Sequence, residues 1–191
     1  MRLFVALDID VDIRECIAAF RNQMRALAPD VRWVAPETFH VTLQFLGETK
    51  KFDEIRRALK QIKAESGQLS FRGAGFFPTP KSPRVFWVRI ESDQRLQALA
   101  DSVATAMHSL GFEPDHGPYT PHLTLARSDS GRPRPVPGEP PASGLQRVRD
   151  ELAKLPPPDF GTMTAHEFFL YESHLSPEGA RYEKRASYPL R

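Results

Sequence analysis

Two histidines in this chain stand in the same local company. His40-Val41-Thr42-Leu43 and His122-Leu123-Thr124-Leu125 each place a threonine two residues after an imidazole, with an aliphatic residue between them. Composition makes a chance second copy roughly a 2% event, so the repeat is a signal in its own right. Successive side chains of a strand point to opposite faces, so His40 shares a face with Thr42 and His122 with Thr124. On the same alternation Val41, Leu43 and Phe45, like Leu123 and Leu125, are expected to back onto a core. An imidazole titrates near neutrality, so one histidine can hold a proton while its partner lacks one. Two of them over a cleft suit a reaction in which one proton leaves the nucleophile and another reaches the leaving group. A threonine hydroxyl beside each can donate to a phosphoryl oxygen. The combination points to phosphodiester cleavage without metal. Two histidines on separate strands are too few ligands for a closed zinc site, and neither motif contains an Asp or Glu to complete one. No cofactor is expected.

The elements that must position these strands are legible in the flanking patterns. Met1 to Asp8 reads as a first strand, its apolar run too short for a secretion signal. Ile13, Ile17, Phe20, Met24 and Leu27 fall at helical spacing, with Asp10 or Asp12 available as a cap. Arg32-Trp33-Val34 is an extended approach to the first motif strand, which Gly47 closes. A second helix carries Phe52, Ile55, Leu59 and Ile62, and strands are expected near 69–77 and 84–90. The three prolines in Pro78 to Pro83 predict a stiff connection kept out of the sheet. A third helix carries Leu96, Leu99, Val103, Met107 and Leu110 and is stopped by Gly111. Pro118-Tyr119-Thr120-Pro121 then leads into the second motif strand. Five prolines between Ser128 and Gly144 predict a loop, followed by a short helix with Leu145, Val148, Leu152 and Leu155. Paired strands over 162–172 and 181–189, around Ser176-Pro177-Glu178-Gly179, complete the chain. Each half reads as a small sheet with helices outside, the two motif strands meeting in a cleft.

The chain has 191 residues, 40% apolar and 26% charged, with formal net charge +2. These are the proportions of an ordinary soluble protein, and no run of about 18 apolar residues suggests a membrane span. Cys16 is alone, which excludes an internal disulfide and makes a reducing cytoplasm the default. Five arginines from Arg127 to Arg149 face only Asp129 and Glu139, so the second motif enters a basic region, read equally as a solvated loop or as a nucleic-acid contact. Arg127, five residues after His122, falls on the opposite face of a regular strand and reaches a phosphate only if the strand ends or bulges first. His108, His116, His166 and His174 read as surface, loop or structural residues. Trp33, Phe77, Trp87 and Tyr119 could stack on a base but read first as core.

The two His-x-Thr-Leu segments, Arg32-Trp33-Val34, Phe45-Leu46-Gly47, Arg127, Phe77-Pro78 and Pro83-Arg84-Val85-Phe86-Trp87 together resemble the two-histidine phosphoesterase superfamily. Within it the chain is similar to the bacterial and archaeal RNA 2',3'-cyclic phosphodiesterases, also known as 2'-5' RNA ligases. The similarity runs to Tyr171-Glu172-Ser173-His174-Leu175 and falters only over the proline-rich loop and the helix after it. It implies an α+β fold, duplicated and bilobal within one domain spanning residues 1–191. Two antiparallel sheets would face a central cleft, helices outside, with a proline-rich loop at 128–144. It also implies hydrolysis of an RNA 2',3'-cyclic phosphate end, or of a cyclic nucleotide, to a 2'-phosphate by a monomer. Under that resemblance His40 is the acid, His122 the base, and Thr42 and Thr124 hold the phosphate, with Arg127 a further contact. The symmetry of the motifs leaves open which histidine does which, and the roles exchange in the ligating direction. A module that only recognises phosphate at an RNA end or nucleotide is the competing reading.

Overall fold

The computed structural model describes residues 1–114, 117–128, 144–177 and 179–191, so His116, Glu178 and the interior of the proline-rich stretch lie outside the described residues. In chain order the elements are β1 (Arg2–Leu7), α1 (Val11–Leu27), β2 (Arg32–Trp33), a 3-10 turn (Pro36–Thr38), β3 (Val41–Glu48), α2 (Phe52–Lys60), β4 (Gly67–Thr79) and β5 (Ser82–Ser92). They continue with α3 (Gln94–His108), β6 (His122–Arg127), α4 (Gly144–Leu152), β7 (Asp159–Ala165), β8 (Glu167–Ser176) and β9 (Gly179–Pro189). The strands form two antiparallel sheets, in the orders β3-β1-β8-β9 and β2-β6-β5-β4-β7. The α+β class, the two sheets and the cleft between them are as expected. No residue of α1 to α4 lines the cleft.

The chain does not divide into one sheet per half. β2, from the first half, pairs with β6 of the second sheet, while β8 and β9 return from the C-terminal end to complete the first. The run expected as one strand over 162–172 breaks at His166 into β7 and β8, which lie in different sheets. The Pro78 to Pro83 connection is no irregular loop either. β4 and β5 pair as far as Thr79 and Ser82, leaving Pro80-Lys81 as the turn of a hairpin. Proline costs a ladder bond only where its missing N–H would have donated, and the free end of a hairpin tolerates that loss.

β1 explains why both sheets share a core. Its continuous apolar run marks a strand covered on both faces. Leu3, Val5 and Leu7 point into the main core with Ile17 of α1 and Leu123 and Leu125 of β6. Phe4 and Ala6 point the other way and pack with Phe169 and Tyr171 on the cleft side. In α1, Ile13, Ile17 and Met24 are buried as the spacing predicts, whereas Leu27 is exposed. Asp10 occupies the N-cap position of α1 without a side-chain cap bond. In α3, Leu96, Leu99, Val103 and Met107 are buried, and the Asp93 carboxylate caps the helix by accepting from the Arg95 N–H. Among the described residues no helix is long and apolar enough to cross a membrane.

Candidate active site

Both motif strands carry a bulge at the same place. β3 pairs with β1 as Ala6 to Thr42 and Val5 to Gln44, so Leu43 has no partner opposite it. β6 pairs with β5 as Trp87 to Thr124 and Phe86 to Ala126, so Leu125 is likewise the extra residue. An inserted residue reverses the alternation beyond it. The residue five places after each histidine, Phe45 in one strand and Arg127 in the other, therefore returns to the histidine face and lines the cleft. The expectation that Phe45 backs onto the core is overturned: it is 50% exposed, and Gln44 is buried in its stead. Arg127 reaches the cleft by the bulge that its spacing from His122 required.

The histidines are held alike. The Thr38 carbonyl lies 2.7 Å from Nδ1 of His40, and the Thr120 carbonyl 2.7 Å from Nδ1 of His122. A carbonyl oxygen only accepts, so Nδ1 carries the proton in each ring and Nε2 is left for proton transfer. Each ring also rests on aromatic neighbours. His40 packs against Phe4 at 4.8 Å and Tyr182 at 5.2 Å between ring centres, and His122 against Phe77 at 5.1 Å and Trp87 at 6.0 Å. Phe77 and Trp87 stack on each other at 4.7 Å, so they are the floor under His122 and not free platforms for a base. Gly75 makes that floor possible: a Cβ there would lie 2.6 Å from the Trp87 ring. Tyr119 is neither platform nor plain core. Its hydroxyl donates to the Thr42 carbonyl at 3.1 Å and ties the approach to the second motif to the first motif strand.

Behind His40 stands a brace with no sequence signal of its own. Arg14 donates to the Pro36 carbonyl at 2.7 Å and the Phe39 carbonyl at 3.3 Å, gripping the turn whose Thr38 carbonyl holds the imidazole. Asp8 accepts from Arg14 at 2.6 Å and from Lys184 at 2.5 Å.

His40, Thr42, His122, Thr124 and Arg127 all line one cleft of about 790 Å³. The expected site residues are thus brought together, and among the described residues lining it there is no Asp, Glu or Cys. Burial pushes the His40 pKa down to about 4; the Thr38 bond opposes this, and the charges of His122 and Arg127 add to it, with Asp8 acting the other way. His122 is also pushed below the ordinary range by burial, with Arg127 adding to the shift and the Thr120 bond opposing it. Each histidine therefore feels Arg127, and His40 feels His122. Arg32, which the sequence marks only as part of the Arg32-Trp33-Val34 approach, lines the cleft with Tyr182, while Arg14 stands behind His40; neither Tyr182 nor Arg14 carries a sequence signal. For Phe45 a signal existed: it shares with Arg127 the offset of five from a motif histidine. Of the remaining histidines, His108 faces Glu113 on the surface, and His174 lies in β8 beside Glu172 and Glu183, not in a turn.

The chain as a whole is similar to known proteins. The model of the 2'-5' RNA ligase superfamily matches residues 9–175. An Archaeoglobus fulgidus protein named RNA 2',3'-cyclic phosphodiesterase is 35% identical, with 96% of this chain and 97% of the relative covered. The crystal structure of a Thermus thermophilus protein superposes with a TM-score of 0.78 at 25% identity, covering 100% of this chain and 98% of that one. E. coli LigT complexed with 3'-AMP superposes with a TM-score of 0.76 at 26% identity, covering 99% and 97%. Sequence and fold agree, and the chain belongs to the 2'-5' RNA ligase superfamily, the two-histidine phosphoesterases.

Proposed function

We propose that this chain acts as one bilobal unit, residues 1–191, that hydrolyses RNA 2',3'-cyclic phosphate ends to 2'-phosphomonoesters without a metal ion. The observation that carries this reading is the pair of imidazoles, each fixed by a carbonyl at Nδ1 and sharing one cleft. Relatives that bear the name RNA 2',3'-cyclic phosphodiesterase support the substrate.

His122 Nε2 accepts a proton from water as the water oxygen attacks phosphorus. The bond from phosphorus to the 3' oxygen breaks, and His40 Nε2–H gives its proton to that oxygen. The products are a 2'-phosphate and a free 3'-hydroxyl. The Thr42 and Thr124 hydroxyls donate to the non-bridging oxygens, and the Arg127 guanidinium offsets the charge gathering there. A 5'-hydroxyl attacking in place of water, with the same bond to the 3' oxygen broken, gives a 2'-5' linkage. The reverse of that joining, attack by the 3'-hydroxyl with the 5' oxygen leaving, exchanges the roles of the two histidines. Among the described residues lining the cleft a metal would find two ring nitrogens and no carboxylate or thiolate, fewer donors than a closed site requires. Both histidines come from one chain, so the reaction needs no second copy.

Burial within the protein makes both imidazoles favour the neutral form. The bound phosphate supplies the negative charge that lifts their pKa values and lets His40 carry a proton. The optimum of kcat/KM is thus expected on the acid side of the histidine range, and that of kcat higher. Phosphorus NMR of an RNA oligomer carrying a 2',3'-cyclic phosphate tests the reading. A 2'-phosphate formed in the presence of EDTA supports it. A 3'-phosphate reverses the leaving group, and a cyclic end recovered unchanged leaves only a binding module.

A further inference from the structure

Arg2, Arg32 and Arg127 project into the cleft from three strands, and among the described residues no carboxylate forms an ion pair with any of them. Arg32 is aligned directly with Arg127 across the β2–β6 ladder. Like charges directly opposite one another in a sheet destabilise the pair. β2 is only two residues long, so this repulsion falls on half of its register. Arg2 has Glu48 as its cross-strand neighbour, but that carboxylate sits 3.6 Å from the amino group of Met1 and does not line the cleft. The three guanidiniums share one neighbour. Burial pushes the Tyr182 phenol up, and Arg127, Arg2 and Arg32 all pull it back. Only Arg127 of the three acts on the histidines. Positive charge therefore reaches beyond the histidines to the part of the cleft lined by Tyr182, Arg32 and Arg2. A cyclic phosphate carries one negative charge, which Arg127 already matches. The cleft, at about 790 Å³, is also at the upper end of the range that encloses a whole small ligand.

We propose that Arg32 and Arg2 form a second phosphate subsite, which takes the phosphodiester one nucleotide before the cyclic end, so that an RNA terminus is preferred over a lone nucleoside cyclic phosphate. The inference rests on the reading that the histidine pair works on a cyclic phosphate. Each further phosphate contact releases counterions and makes binding more sensitive to salt.

The test compares kcat/KM for adenosine 2',3'-cyclic phosphate with that for a tri-adenylate bearing the same end. The trimer is expected to be better by about tenfold, the scale of one charged hydrogen bond. In Arg32→Ala the ratio of trimer to mononucleotide falls by about the same factor, and Arg32→Lys keeps part of it. A methylphosphonate in place of the phosphodiester next to the end lowers the ratio in the unaltered protein, without recourse to a variant, and lowers it less in Arg32→Ala, where only the Arg2 contact is left to lose. A trimer no better than the mononucleotide overturns the subsite. So does a methylphosphonate trimer as good as the native one, which would assign the preference to the second base, or a ratio unmoved by Arg32→Ala. If the unaltered protein turns over neither substrate, the histidine reading itself fails and the subsite falls with it.

Discussion

The surroundings of His40 and His122 are two versions of one local design. In each, a carbonyl two residues earlier holds Nδ1 at 2.7 Å, a threonine follows on the same face, and a bulged leucine turns the fifth residue back into the cleft. What differs is what lies behind and what the fifth position offers. His40 is backed by Arg14 and Asp8 and enclosed by Phe4 and Tyr182, whereas His122 lies over the Phe77–Trp87 stack. The fifth position is an exposed phenyl ring on one side and a guanidinium on the other. The backbone geometry supplies two equivalent sockets, and the side chains make them unequal. An acid and a base need such inequality if they are to hold different protonation states at one pH.

Replacing each histidine tests the shared part of the comparison. His40→Ala and His122→Ala are each expected to lower kcat by about 10²- to 10⁴-fold while the circular dichroism spectrum is unchanged. Near-normal turnover in either would break the pairing. The brace tests the unequal part. Arg14→Ala is expected to reduce kcat about tenfold, through a His40 ring no longer held in place, with KM little altered and the pH limb that belongs to His40 displaced. Arg14→Lys should restore part of the rate, since an ammonium can still reach one carbonyl. An equal loss in kcat and in thermal stability, with the pH profile unmoved, would reduce Arg14 to a structural role.

The charge at the fifth position sharpens the comparison further. The Arg127 guanidinium disfavours protonation of both rings, so Arg127→Gln is expected to raise their pKa values and move the alkaline limb of kcat/KM to higher pH. A limb that stays in place would separate Arg127 from the proton-transfer groups. The smallest effect concerns stability. His40 folds with its pKa near 4, below the 6.5 of the unfolded chain, so the unfolded state binds more protons between those values. Its contribution is fully present above about pH 6.5 and is lost as pH falls towards 4, at no more than about 1.4 kcal/mol per pH unit. Denaturant titrations across that window should show a shallower slope in His40→Gln than in the unaltered protein.

Legibility from the sequence followed the range of the interaction responsible. Helical spacing in Ile13, Ile17 and Met24, or in Leu96, Leu99, Val103 and Met107, reports a face that any burying partner would select, and these residues are buried as expected. The doubled His-x-Thr-Leu segment likewise needed only a two-residue period to place imidazole and hydroxyl together. Phe45 escapes the same period because the alternation breaks at Leu43, and the Pro78 to Pro83 hairpin escapes the proline rule because a strand end accepts what a strand interior does not. Arg14 could not be found locally: it serves a turn more than twenty residues further along the chain.

The amino-acid sequence by itself determined where helices α1 to α4 and most of the strands lie, and that two imidazoles come with two hydroxyls. The tertiary structure alone decided that β2 crosses to the second sheet, that β8 and β9 return to the first, and that Phe45 and Arg127 face the same cleft. The reason is that a bulge is defined by the strand opposite. Whether Leu43 and Leu125 have partners depends on β1 and β5, and only the assembled sheets fix that register.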